Sequence, residues 1–188
     1  MNRDWTDKIG KDTPLHSGET EMARRYPNPV YRWDAGNIGQ MIRTRVPPSL
    51  GAYLADLPFF FIATSNENGH CDASYRGREY SASGPCPLVL VQSPERLVFP
   101  DFRGNGLYQS LGNILQNPHI GMLFMDFEQQ ARFRVNGKAE TQDATAEIQE
   151  IWPGAQAYVS VSIEQVFGNC QARIPRMTLH RESVDPFN

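Results

Sequence analysis

The feature that most constrains this chain is a series of short strand-type segments separated by turn residues. Residues 59–64, Phe-Phe-Phe-Ile-Ala-Thr, form an aromatic and β-branched run that suits a half-buried pleated strand. Asn66-Glu67-Asn68-Gly69-His70 follows and leads into a second run at 71–76, so its Asn-Gly pair predicts a hairpin. Another pair, 87–92 and 96–100, flanks Ser93-Pro94-Glu95, residues suited to a tight turn. Strand character resumes at 120–127, 131–140 and 157–167.

The period switches between Gly104 and Asn117, where Leu107, Leu111, Ile114 and Leu115 recur at helical spacing. Asn105 is placed to cap this helix and Asn117-Pro118 to stop it. A further helix is expected over 143–151, ending at Trp152-Pro153-Gly154. The first 50 residues are polar and rich in Pro, Gly and Arg; they predict an irregular arm with short helices over 19–26 and after Pro47-Pro48. The sum is a mainly β protein: about six short antiparallel strands in a small closed β-barrel with peripheral helices. With 188 residues and 40% apolar content, the chain reads as one domain over 1–188, with an N-terminal arm at 1–46 and a C-terminal tail at 168–188.

Charge narrows the partners. Eighteen Lys plus Arg against 21 Asp plus Glu, a net charge of −3 without long runs of either sign, argue against a general binder of nucleic acid or anionic membranes. A small molecule or another protein is the expected partner. Cys71, Cys86 and Cys170 form no CxxC pair, and His16, His70, His119 and His180 show no ligand spacing, so neither a metal site nor a disulfide scaffold is expected. Residues 1–8 lack the apolar core of a leader, and no stretch approaches the roughly 20 apolar residues that span a bilayer. A reducing, cytoplasmic setting is the expectation.

Three constellations could carry chemistry. Gly104 and Gly106, at the join between the strand ending at Asp101 and the following helix, allow close backbone approach, and a helix N-terminus there favours an anion. Asn105 would touch that ligand, with Ser110 and Asn113 on one helix face extending the contact; the same residues also make a simple capped helix after a glycine turn. In 72–78, Ser74, Arg76 and Arg78 alternate with Tyr75, so the arginines either hold a phosphate or decorate a solvated edge. Arg132, Arg134 and Asn136 alternate with Phe133 and Val135, a basic stripe on one strand face. Residues 173–181, with Arg173, Arg176, His180 and Arg181, read as a solvated tail or a basic flap.

The order of these segments resembles the pyridoxamine 5′-phosphate oxidase-related FMN-binding proteins. The resemblance runs through Phe60-Phe61-Ile62-Ala63-Thr64, Asn68-Gly69, Asp72-Ala73-Ser74-Tyr75-Arg76-Gly77, Leu97-Val98-Phe99-Pro100-Asp101, Gly104-Asn105, Ser110-Leu111-Gly112-Asn113, Asn117-Pro118 and Arg134-Val135-Asn136-Gly137, and covers residues 47–140 most strongly. It implies a six-stranded split β-barrel that forms a homodimer with FMN at the subunit interface. By position, Ser74, Tyr75, Arg76 and Gly77 match the strand that passes the flavin and its phosphate; Phe99, Pro100, Asp101, Asn105, Ser110, Leu111 and Asn113 match the strand-to-helix element that completes the site. Arg132 and Arg134 match a strand near the flavin ring, contributed by the other subunit. The oxidases carry Arg-x-Val-Leu-Leu-Lys where this chain has Ser74-Tyr75-Arg76-Gly77-Arg78, a departure that leaves the substrate open. Where relatives read Pro-Arg-Tyr after Asn169-Cys170, this chain has Gln171-Ala172-Arg173, and an arginine contact is lost or moved to Arg173. The resemblance thus implies an FMN flavoprotein, a flavin-dependent oxidoreductase acting on a small molecule, with no side chain identified as catalytic acid or base. The alternative is a non-catalytic flavin-binding or sensor protein, or one holding a deazaflavin or haem on the same barrel.

Overall fold

Every segment with strand character finds an antiparallel neighbour in the computed structural model, which describes residues 16–30 and 35–179. The strands are β1 (Phe59–Ser65), β2 (Cys71–Gly77), β3 (Tyr80–Ser81), β4 (Gly84–Pro85), β5 (Leu90–Ser93), β6 (Arg96–Phe102), β7 (His119–Asp126), β8 (Ala131–Asp143) and β9 (Ala155–Asn169). Helices α1 (Ser17–Arg25), α2 (Ala35–Met41) and α3 (Pro48–Asp56) precede β1, α4 (Gln109–Gln116) links β6 to β7, and α5 (Ala146–Ile151) links β8 to β9. The main sheet holds seven strands in the order β2-β1-β7-β8-β9-β6-β5, and β3 with β4 forms a separate two-stranded ribbon. The sheet ends at β2 and β5, so the barrel is split rather than closed, with seven strands rather than six.

Alternation along each strand builds the core. On β1, Phe60, Ile62 and Thr64 point inward while Phe61 faces out. Phe60 stacks on Phe124 with centroids 4.9 Å apart and meets Phe99 edge-on at 5.3 Å. Truncating a ring from such a cluster costs roughly 3–5 kcal/mol. The long β8–β9 pair shifts register between Asn136 and Gly137, where a Cβ on residue 137 would stand 2.1 Å from the Ser162 carbonyl oxygen. Only glycine permits that approach, and the bulge bends the pair around the core. A smaller cluster on the other side of β6 and β9 is built around Trp152, packed with Val98, Ile148, Cys86 and Ala155, whose indole N–H donates to the Pro87 carbonyl at 2.6 Å.

Several local expectations change. The helix expected from residue 143 starts at Ala146, because Asp143 is still paired in β8 and the Thr145 hydroxyl accepts from the Ile148 amide as the cap. The 1–46 arm is not uniformly irregular: α2 buries Ile38, Val46 is in the core, and Arg43 and Val166 exchange both backbone hydrogen bonds. Helix α1, by contrast, buries none of its residues and is held by its own His16–Glu19 capping box and the Glu21 contacts to Arg24 and Arg25. Those two cations hold the Glu21 carboxyl below the usual carboxylate range. No helix among the described residues is long and apolar enough to cross a membrane. His180 and Arg181 lie outside the described residues.

Candidate functional site

Strand β2 pairs through Ile62↔Ser74 and Phe60↔Arg76, so Asp72, Ser74 and Arg76 line up on the side of the sheet that carries the core. Its position at the sheet edge keeps this row partly open. Arg76 Nη1 donates to Asp101 Oδ1 at 2.6 Å, with side-chain exposures of 19% and 7%. Asp101 ends the regular part of β6, where the register with β9 shifts between Asp101 and Phe102. The displaced Gln156 donates from Nε2 to Asp101 Oδ2 at 3.0 Å, so both carboxylate oxygens are held. Arg76 Cζ lies 6.0 Å from the Phe99 ring centroid, and its Nε is buried with no hydrogen-bond partner. A guanidinium carries five N–H donors, so an uncompensated one in a dry position is a group awaiting an acceptor.

The loop after β6 forms the facing wall. Gly106 (φ 80°) and Tyr108 (φ 51°) are both left-handed, and Asn105 Oδ1 accepts from the Leu107 amide at 3.0 Å. Asn105 therefore stabilises the turn instead of capping the helix, which begins later, at Gln109, with Tyr108 at the cap position and no side-chain cap. The two left-handed residues explain the delay, since helical dihedrals cannot start until the chain has passed them. Leu107 falls outside the helix and is exposed, as is Leu115; the buried positions of α4 are Ser110 and Ile114. The Ser110 hydroxyl donates to Asp72 Oδ2 at 2.9 Å, and Asn113 Nδ2 donates to Thr64 Oγ1 at 3.1 Å, pinning α4 across the β1–β2 hairpin.

Between these walls lies a cavity of about 370 Å³ lined by 72–74, Arg76, Asp101, Phe102 and 104–111. It gathers Ser74, Arg76, Asp101, Asn105, Ser110 and Leu111 from the sequence-derived set. The other members sit elsewhere. Tyr75 faces outward beside Phe59 and Phe61. Gly77 closes β2 opposite Phe59, where an added Cβ would meet the Tyr75 ring at 2.9 Å. Phe99 is fully buried in the core, Pro100 pairs with Tyr158, and Asn113 is spent on Thr64. Arg132 and Arg134 stand on the outer face of β8: Arg134 donates to the Asn169 side-chain oxygen and covers the Phe167 ring at 5.4 Å, while Arg132 Nε is buried without a partner.

Arg78 does not join Arg76. Strand β2 stops at Gly77, the alternation ends with it, and the Arg78 guanidinium turns to Asp56 and the Cys86 carbonyl. Sequence reasoning missed Asp72, although its period-two spacing from Ser74 and Arg76 was there to find it, and Tyr108, whose left-handed backbone has no signal in a tyrosine. Among the described residues no group of three or more His, Cys, Asp and Glu is placed to hold a metal ion. The three cysteines are free, with Cys71 and Cys170 exposed and Cys86 buried.

Chemically, the cavity offers a fixed cation with unused donors, hydroxyls, and a glycine-rich turn where Cβ atoms on Gly104 and Gly106 would meet nothing within 4 Å. That set suits an anionic group. Both oxygens of Asp101 are engaged, by Arg76 and Gln156, while Asp72 accepts from Ser110 through one oxygen.

No curated protein matches the sequence. Among solved structures, HupZ from Group A Streptococcus is 18% identical, covering 65% of this chain and 93% of its own, with a TM-score of 0.48. An FMN-binding protein from Syntrophomonas wolfei is 11% identical over 62% of this chain and 80% of its own, TM-score 0.43. HutZ, the heme storage protein from Vibrio cholerae, is 10% identical over 65% and 94%, TM-score 0.41. Residues 47–179, from the start of α3 through both walls of the cavity and beyond β9, match the pyridoxamine 5′-phosphate oxidase family model, and the chain belongs to that family.

Proposed function

We propose that this protein is an FMN-dependent oxidoreductase that works as a homodimer on a small-molecule substrate or electron donor. The observation that carries the reading is Arg76: clamped by Asp101, with Nε buried and unpartnered, at the edge of a cavity rimmed by Ser74, Asn105 and Ser110. Arg76, Ser74, Ser110 and the backbone of 104–108 would hold the phosphate and ribityl chain. FMN, when bound, supplies the redox chemistry by taking a hydride at N5. The protein's part is to bind and orient.

The outer sheet face supports the dimer. Across it run Tyr75, Phe61, Leu123, Arg134 and Phe167, cross-strand neighbours in one row, with Tyr75 60% and Phe61 38% exposed. A second copy would cover these rings and bring Arg132 and Arg134 toward its partner's flavin, and α1, which buries nothing in one chain, would wrap the neighbour. A non-catalytic flavin carrier is the second reading, favoured by Asp101, whose two carboxylate oxygens are both held in the fold, by Arg76 and by Gln156.

The deciding experiment is the absorbance spectrum of the purified protein with an FMN titration. A yellow protein, or saturable FMN uptake that Arg76→Ala weakens about a hundredfold through loss of a charged hydrogen bond, supports the reading. A colourless protein that takes up no FMN overturns it. Bleaching by reduced nicotinamide with recovery in air identifies an enzyme; inertness to every donor identifies a carrier. Light scattering of the same sample tests the dimer.

A further inference from the structure

A second cavity, of about 570 Å³, lies between the C-terminal turn of α3, the start of β1 and the β7–β8 turn. None of its lining residues belongs to the Arg76 cavity. Its walls are largely apolar: Tyr53, Phe59, Met125 and Phe127, with Met177 and Leu179 closing one side. The closing segment is stitched to the β7–β8 turn. Gln130 Nε2 donates to the Ile174 carbonyl at 2.7 Å, the Met177 amide to the Phe127 carbonyl at 3.3 Å, and the Leu179 amide to Glu128 Oε1 at 3.3 Å.

One part-buried carboxylate faces this apolar space. Asp126 accepts the Tyr53 hydroxyl at 2.5 Å and the Gln129 amide at 2.8 Å, and among the described residues it has no cation within salt-bridge distance. Asp56, at the rim, is already paired with Arg78 at 2.9 Å, and Glu128 is exposed. Among the described residues, no Lys, Arg or His lines the cavity. Burial first, then the hydrogen bond to Asp126 and its charge, push the Tyr53 phenol well above its ordinary range. An ionised carboxylate has about four acceptor positions, of which two are used here. Aromatic faces add attraction for a cation.

We propose that this cavity binds a small organic monocation, an ammonium group at Asp126 carried on an apolar or aromatic body that packs against Phe59, Met125 and Phe127. Its volume falls within the roughly 300–1,000 Å³ of small-molecule sites. Charge complementarity decides the class: an anion would face Asp126 directly, and a neutral body would leave that carboxylate without a counter-ion.

Calorimetry on the full chain with phenethylammonium, 2-phenylethanol and 3-phenylpropionate tests this. The ammonium should bind saturably, the propionate at least about tenfold more weakly, and Asp126→Asn should weaken the ammonium about tenfold while leaving the alcohol unchanged. Saturating FMN should not displace it. Ala52→Phe, which adds bulk at the cavity wall while keeping Asp126, should abolish binding and serves if Asp126→Asn does not fold. Equal binding of propionate and ammonium, no saturation by about 10 mM, displacement by FMN, or full binding in Ala52→Phe would each overturn the proposal.

Discussion

The two cavities use one device with opposite sign. At the first, a guanidinium on β2 is fixed by a carboxylate on β6, and its Nε is buried without a partner. At the second, a carboxylate at the end of β7 is fixed by a phenol on α3 and lines the apolar space. The difference lies in the depth and the partner. Asp101 is almost fully buried and opposes a full charge, whereas Asp126 is half-buried and opposes a neutral hydroxyl.

The contrast breaks most visibly at the two carboxylates. Asp101→Ala strands the Arg76 guanidinium and should lower stability by about 3 kcal/mol, read from the denaturation midpoint at unchanged slope. Asp126→Ala leaves a hydroxyl and the exposed Gln129 amide without their acceptor, no charge among them, and should lower it by about 1 kcal/mol; equal losses would show that the two sites are not built differently. A smaller effect is expected at Asp72, the second negative charge beside the Arg76 cavity. Asp72→Asn should tighten FMN binding about threefold to tenfold by removing a like charge near the phosphate, and weaker binding would mean that Asp72 orders Ser110 for the ligand instead.

The smallest effect is alkaline. Tyr53 has its folded-state pKa raised above the ordinary 10.0, so its contribution to stability is complete below that value and declines as pH rises beyond it, where the unfolded phenol ionises first. Denaturation midpoints from pH ~9 to ~11 should fall more steeply for the native chain than for Tyr53→Phe. Parallel slopes would leave the α3–β7 contact without an electrostatic role.

The hairpins were readable because alternation and the Asn-Gly turn are local: Phe60, Ile62 and Ser74, Arg76 meet across β1 and β2 as period two requires. The split was not readable as a strand count, since whether β2 and β5 close on each other is a long-range matter. Ile38 and Val46 are single apolar residues in a polar stretch, and nothing in their neighbours marks them as core. Of the candidate site, the β2 row and the glycine turn were visible. The start of α4 was not, because Tyr108 adopts a glycine-like backbone, and Arg78 misled because a period holds only while the strand lasts. The second cavity escaped entirely: its walls come from three stretches far apart in the chain, 52–59, 125–128 and 177–179.

Strand β2 pairs with β1 alone, and it carries Asp72, Ser74 and Arg76. Half of the candidate site therefore stands on the part of the sheet held by one ladder instead of two, where transient local opening needs the fewest bonds to break. A ligand bridging Arg76 and the 104–108 turn would act as the missing second neighbour. Occupancy would then be recorded in the backbone itself, as slowed amide exchange along β2, and a chain that loses its ligand would loosen first at that edge.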